Sequence, residues 1–410
     1  MRTIKRTLEN RIMRSMENSK AIFILGPRQV GKTTLLKRLM EKVGFDNSLY
    51  YDIEMAPYLE VFSGSLEGIL ALLRNDRKQI SGRTFVFIDE VQSISDFSKT
   101  TKLLVDHHSD EFKFILTGSS STMIKRQFKE SLVGRKEEHI LYPLSFLEFC
   151  RFKAEDNIAD LLETGYVHER YFPLHLRKEK MELLMAEYMV FGGYPEVVLK
   201  SNDLDKAELL NDIVSSYILK DIRHIFRIER PDQLNKLIRN LAINSGKEIN
   251  LQKLSGEINL HTETVKNYLL ALETSYLVTM IKPFFSNQNA EQRKMPKAYF
   301  IDTGIRNMLI NNFNAPDIRT DKGELFENLI FINLLHKKNV LSEIKFWKSK
   351  AKQEIDFVVK ESGSITAYEV KYGNDRQNHF TAFLHSYPGA KCYFVRFNYT
   401  FQEDELPGYF

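Results

Sequence analysis

Cysteine is nearly absent from this chain. Two residues, Cys150 and Cys392, stand far apart in 410 positions with no C-x-x-C spacing. That excludes a disulfide framework and a cysteine zinc site, and it fits a reducing compartment. Long apolar runs are lacking too: none approaches the ~20 residues a membrane-spanning helix needs, so no membrane association is expected. The basic N-terminus M-R-T-I-K-R-T-L-E-N-R-I-M-R-S-M is followed by no signal-like apolar region, and Glu9 and Glu17 count against a transit peptide. Its apolar residues Ile4, Leu8, Ile12 and Met16 recur at helical spacing, which predicts an amphipathic helix beside the first strand. The expected location is cytoplasmic. An excess of one charge is missing as well. Lys+Arg is 58 and Asp+Glu is 54, and the resulting +4 permits a nucleic-acid partner without arguing for one. No internal repeat or low-complexity tract occurs.

What is present is ordinary globular material: 43% apolar residues, with length for two or three domains. The short apolar runs A-I-F-I-L (21–25), F-V-F-I (85–88) and F-K-F-I-L-T (112–117) predict buried strands. Helical patterns follow the first and lie between the other two, over 93–106, so an α/β domain with a parallel sheet is expected over 1–143. Residues 144–230 read as a helical connector or lid. Residues 231–284 hold helical segments with short joints and then the strand-like Y-L-V-T-M-I-K-P. Residues 285–297 read as a polar loop opening a small α/β domain over 285–410.

Residues 26–33 read G-P-R-Q-V-G-K-T, a match to the Walker A pattern G-x-x-x-x-G-K-[ST]. Chance alone gives such a match in a chain of this length on the order of one time in a hundred. Gly26 and Gly31 permit the tight bend; Pro27, Arg28, Gln29 and Val30 complete a loop whose N–H groups can cradle phosphate. The following helix, with Thr34 in its first turn, aims its positive end at the same anion. Lys32 supplies a charge for the outer phosphates of ATP, and the Thr33 hydroxyl a ligand for Mg²⁺. Asp89-Glu90 ends the second strand: Asp89 is the expected partner of the metal, and Glu90 the group that activates water. Two acids opening a helix would give the same dipeptide. In T-G-S-S-S (117–121), Ser119 is the preferred residue beside the γ-phosphate, with Thr117 the rival. Arg135 in S-L-V-G-R is either a surface arginine or a finger for the nucleotide of a neighbouring subunit in a homo-oligomer.

G-P-R-Q-V-G-K-T, F-I-D-E-V-Q, L-T-G-S-S-S, S-L-V-G-R, L-Y-P-L-S-F-L-E-F and F-G-G-Y-P-E-V follow one another in this chain. In that order they resemble a large prokaryotic group of AAA+ superfamily ATPases. The resemblance spans nearly the whole chain. It implies an ASCE-type P-loop core, then a helix-turn-helix, then a nuclease-like C-terminal domain, with no substrate attached. L-Y-P-L-S-F-L-E-F and F-G-G-Y-P-E have no evident chemistry.

Leu251, Leu254 and Ile258 share one helical face and Val265, Leu269 and Leu272 another, with Thr262 as the expected N-cap of the second helix. Two short helices and a strand resemble a winged helix-turn-helix. Thr262, Thr264, Lys266 and Asn267 would face DNA; with one cation among them, packing or protein contact is the competing use. In the last domain, Glu327, Asp356 and the E-x-K pair Glu369 and Lys371 resemble the PD-(D/E)XK nuclease superfamily, with Ile355 in place of the usual proline. Alternation along a strand puts Glu369 and Lys371 on one face. Acids converging there can hold Mg²⁺ for phosphodiester attack; Glu324 and Glu354 are alternatives, and a decayed site held by ion pairs is the competing reading. The expected function is thus an ATP hydrolase acting on or near DNA. The alternative is a nucleotide-controlled switch that binds a protein partner through an inactive nuclease-like module.

Overall fold

The computed structural model describes residues 4–78, 82–94, 97–119, 132–164, 175–284, 295–349, 351, 353–373, 380–397 and 405–407. Ser120 and Ser121 of T-G-S-S-S, and most of the expected 285–297 loop, lie outside them. The chain divides into two compact units, Met1–Tyr142 and Pro143–Phe410.

In the first unit the apolar runs become strands. β1 (Ala21–Leu25), β2 (Ser48–Asp52), β3 (Thr84–Asp89), β4 (Phe112–Gly118) and β5 (Lys136–Ile140) form one sheet in the order β2-β3-β4-β1-β5. Every pairing is parallel, so all five C-terminal ends lie along one edge. β4 stands between the strand before the P-loop and the strand bearing the acids, which places 117–119 between those two features. Two strands escaped the sequence reading. β2 (S-L-Y-Y-D) is short and polar at both ends, and β5 (K-E-E-H-I) is a charged edge strand without an apolar run, a composition that protects an edge from further pairing. The N-terminal helix Leu8–Ser15 buries Ile12 and also Glu9. Glu9 is paired with Arg38 at 2.8 Å and Lys42 at 2.5 Å, which ties this helix to Lys32–Val43.

The second unit begins with helices. Ser145 and Glu148 of S-F-L-E form a capping box at the start of Phe146–Phe152, which accounts for part of the L-Y-P-L-S-F-L-E-F motif. Helices Asp156–Thr164 and His175–Phe191 follow, then Pro195–Val198 and Asp203–Asp212, which runs through a π-helical stretch (Ile213–Ile218) into Leu219–Phe226. Helices Pro231–Ile243, Leu251–Ile258 and Thr262–Thr274 come next. The N-cap of the last is His261, with no side-chain cap bond; Thr262 is already helical, a shift of one residue from the expected cap.

β6 (Val278–Ile281) then pairs antiparallel with β7 (Lys297–Phe300). Lys297 therefore opens a strand, where a loop residue was expected, and the pairing crosses the 284/285 boundary drawn from sequence. Helix Lys322–Lys337 precedes a sheet of β8 (Ser342–Lys348), β9 (Glu354–Glu361), β10 (Ser364–Lys371), β11 (Lys391–Arg396) and β12 (Glu405–Pro407), in the order β12-β11-β10-β9-β8. β8, β9 and β10 pair antiparallel, whereas β10, β11 and β12 pair parallel. Helix Phe380–Ser386 sits between β10 and β11 in sequence and contributes Phe380 and Phe383 to the core with Trp347, Ile355, Val358 and Phe394. Among the described residues no helix is long and apolar enough to cross a membrane.

F-G-G-Y-P-E is explained by packing. Gly192 has φ +74°, and a Cβ there would stand 2.2 Å from Asp302 Oδ1; one on Gly193 would stand 2.3 Å from the Leu144 carbonyl oxygen. The Gly193 N–H donates to Asp302 Oδ2 at 2.7 Å, and its carbonyl accepts the Leu144 N–H at 2.7 Å. Asn307 Nδ2 donates to the Met189 and Val190 carbonyls, capping the end of His175–Phe191. The Gly-Gly turn thus joins the start of the second unit to the segment 302–307 by contacts too close for any side chain.

Candidate functional site

β1 delivers the chain into the loop at Gly26, where a Cβ would stand 2.2 Å from the Leu141 carbonyl oxygen. Gln29 (φ +62°) and Gly31 (φ +92°) are both left-handed; two such turns curl the backbone into a concave loop before helix Lys32–Val43 begins. Val30 is buried, and its carbonyl accepts from Arg6 Nη1 at 2.8 Å, while Arg6 Nη2 donates to the Tyr142 carbonyl at 2.7 Å. Arg6 therefore braces the loop from outside, a role the sequence did not disclose. Lys32 Nζ donates to the carbonyls of Gly26 (3.2 Å) and Pro27 (2.9 Å), so the ammonium lies over the loop.

Thr33 Oγ1 donates to Asp89 Oδ2 at 2.6 Å. The hydroxyl and carboxylate chosen as Mg²⁺ ligands are thus adjacent, although they sit 56 residues apart, Thr33 in the first turn of the helix that follows β1 and Asp89 at the end of β3, two strands separated by β4. Asp89 is buried and also accepts from Tyr50 at 3.1 Å and from the Thr117 hydroxyl. Burial first, and then Asp89, pushes the Tyr50 hydroxyl well above its ordinary pKa, so it stays a donor. Tyr50 was missed because β2 carries no apolar run. Glu90 has φ +58°, a left-handed conformation costly for a non-glycine residue, and its N–H donates to Thr117 Oγ1 at 3.2 Å. Its carboxylate accepts from Gln92 Nε2, which also reaches Ser119 Oγ at 3.1 Å. P-loop, Asp89, Glu90, Thr117 and Ser119 therefore meet at the C-terminal edge of the parallel sheet, where open α/β sheets bind ligands.

Arg135 is not brought to this edge. Its carbonyl accepts the Ala21 N–H at 2.9 Å, at the N-terminal end of β1, and its guanidinium pairs with Asp106. The length of the strands separates it from the P-loop of its own chain.

In the second unit Glu327, Asp356, Glu369 and Lys371 converge. The backbone ladder between β9 and β10 runs from Ser364↔Glu361 to Tyr368↔Phe357. Beyond it Asp356 Oδ2 takes the Val370 N–H at 2.7 Å. Lys371 Nζ stands 2.9 Å from Glu369 Oε1. The unexpected member is Lys297 on β7, 3% exposed, 2.5 Å from Glu354 and 3.5 Å from Glu327. Tyr299 of the same strand donates to Glu327 Oε1 at 2.5 Å. Glu354, an alternative in the sequence reading, is thus part of the cluster, whereas Glu324 pairs with Lys247 at 3.6 Å.

Burial raises the carboxyls of Glu327, Asp356 and Glu369. Lys297 opposes the rise at Glu327 and Asp356; for Glu369 the neighbouring Asp356 adds to it. Lys297 itself is held charged: the surrounding acids outweigh its burial and raise its pKa. Among the described residues no group of three or more His, Cys, Asp or Glu side chains is placed to hold a metal ion. Lys297 supplies positive charge among the acids instead. Nothing in the polar stretch 285–297 had marked it.

Of the helical residues considered for DNA, Lys266 and Asn267 are exposed, and Thr262 and Thr264 half-buried. Lys266 pairs with Glu263 at 3.1 Å.

Residues 18–150 match the family described as an AAA domain. Residues 182–316 and 322–405 match two further families, each described as a domain of unknown function (DUF8612 and DUF4143). An uncharacterized protein of Methanocaldococcus jannaschii is 28% identical over 344 residues, covering 82% of this chain and 71% of its own. One of Haemophilus influenzae is 25% identical over 397 residues, covering 94% and 90%. Among solved structures, a Walker-type ATPase of Pyrococcus abyssi is similar with a TM-score of 0.49 and 12% identity, over 75% of this chain and 96% of that one. With a P-loop and an acid pair meeting at one sheet edge, residues 18–150 are an AAA-type P-loop ATPase domain.

Proposed function

We propose that this chain hydrolyses ATP at the edge formed by the P-loop, Asp89, Glu90 and Ser119. The observation that carries the reading is the 2.6 Å contact of Thr33 with Asp89, which joins the two halves of the motif into one site. In this reading the loop N–H groups hold the phosphates, and Lys32 exchanges its carbonyl partners for phosphate oxygens. Thr33 and Asp89 would hold Mg²⁺, which supplies charge neutralisation on the phosphates. Glu90 orients a water and takes its proton. Thr117 is committed to Asp89 and to the Glu90 N–H, which leaves Ser119 as the better candidate beside the γ-phosphate. Lys32→Ala should lose nucleotide binding, and Glu90→Gln should bind ATP but turn over about 10²–10⁴ times more slowly. Near-native turnover by Glu90→Gln would remove it from this role.

For the second unit, the lysine-compensated acid cluster favours the switch reading, in which nucleotide state controls a protein partner and the nuclease-like module is inactive. The positive charge that a metal would bring is supplied by Lys297. The single exposed cation of Thr262–Thr274, paired to Glu263, also gives little support to DNA contact by that helix. Incubation of purified protein with DNA and RNA in Mg²⁺ or Mn²⁺ decides between the readings. Nicking that disappears in Asp356→Ala would restore an active nuclease acting on nucleic acid.

A further inference from the structure

F-I-D-E-V-Q contains one polar residue the hydrolytic reading leaves unused, Gln92. Its three contacts fix its orientation. The amide oxygen accepts the Ser119 N–H at 3.3 Å, and the nitrogen donates to Ser119 Oγ at 3.1 Å and to the Glu90 carboxylate. Two of the three bonds grip the end of β4, and the third is handed to Glu90 at the end of β3. The backbone arrangement serves the same contact. Left-handed Glu90 is followed by the 3₁₀ turn Val91–Ser93, closed by the Ser93 N–H on the Glu90 carbonyl at 3.1 Å. That reversal brings residue 92 back alongside residue 90. A strained non-glycine residue persists only where its surroundings over-determine it, here by bonds to both its N–H and its carboxylate.

We propose that Gln92 is the positioning residue for Glu90, fixing its carboxylate by reference to Ser119 on the neighbouring strand. This rests on Glu90 being the water-activating group. A carboxylate on a flexible two-methylene stem samples several rotamers, and misplacement by about 1 Å can cost 10²-fold in rate. The N–H of an amide anchored at two points holds one of those rotamers. Because the anchor is Ser119, a shift of the β4 end is passed to Glu90 as a change in its hydrogen bond.

The test uses the full chain, with ATP turnover and fluorescent-nucleotide affinity measured separately. Gln92→Ala should lower kcat about 10- to 100-fold and leave nucleotide affinity within about twofold of native. Gln92→Glu keeps the shape but offers no donor, so it should be as slow as Gln92→Ala; a packing role would be rescued by it. In a Glu90→Gln background, Gln92→Ala should cost nothing further, because it acts through the group already removed. Native turnover by Gln92→Ala or Gln92→Glu, an additive loss in the double variant, or collapse of nucleotide affinity would each overturn the proposal. If Glu90→Gln itself turns over normally, the Glu90 reading has failed. If Glu90→Gln is slow and Gln92→Ala is native, only the Gln92 assignment has.

Discussion

Replacing Gly192 by alanine should destabilise the second unit strongly, for reasons that can be worked out separately. The residue sits at φ +74°, and the new Cβ would lie 2.2 Å from Asp302 Oδ1 and 2.6 Å from its Cγ. The left-handed conformation costs an alanine about 1–2 kcal/mol. The contact forces Asp302 aside. That carboxylate is buried, accepts the Gly193 N–H at 2.7 Å and the Ile305 N–H at 3.0 Å, and caps the helix Thr303–Ile310. Loss of the cap costs about 0.5–2 kcal/mol, and a buried Gly193 N–H without its acceptor about 1–3 kcal/mol. The sum is about 2.5–7 kcal/mol, comparable at its upper end with the whole stability of many domains.

The assay is urea unfolding followed by fluorescence of Trp347, the chain's single tryptophan, which is buried on β8 of the same unit. Asp302→Ala supplies the control. With the carboxylate gone the clash is gone, so Gly192→Ala should then cost only its backbone strain, about 1–2 kcal/mol. The two substitutions should therefore be far from additive. A cost below about 1 kcal/mol in the native background, or additivity in the double variant, would refute the assignment of F-G-G-Y-P-E to this close approach.

Two further outcomes are expected. Arg135→Ala should lower turnover by about 10³–10⁵ with nucleotide binding intact if the residue serves a neighbouring subunit; mixing with Lys32→Ala should recover part of the rate, and native activity of the single variant would rule the role out. Glu369→Gln should flatten the pH dependence of second-unit stability. Burial, then Asp356, pushes the Glu369 carboxyl up to about 8, so the fold binds this proton more tightly than the unfolded chain does. Its contribution is present at low pH and lost as pH climbs from about 4.5 to about 8. Glu369→Gln should therefore raise the unfolding midpoint at pH 8 but not at pH 5, and an unchanged slope would contradict this.

Local chemistry determined the P-loop. G-P-R-Q-V-G-K-T, the apolar run before it and the amphipathic pattern after it specify strand, turn and helix within 25 residues of chain, numbered 20–44. The acid pair was legible for the same reason, as the end of a buried strand. What joins those pieces was not, because parallel sheet order is decided by packing between distant segments. Only the fold places β4 between β1 and β3, and so brings Thr117 and Ser119 to Asp89 and Glu90. Tyr50 and Arg6 enter the site from a short polar strand and from the N-terminal segment, neither of which carries a motif. Lys297 is the sharpest case. In sequence it ends a polar stretch, like many solvated lysines; antiparallel pairing of β7 with β6 buries it among Glu327, Glu354 and Asp356. A buried charge persists only with partners, and which partners it has is a property of the tertiary fold.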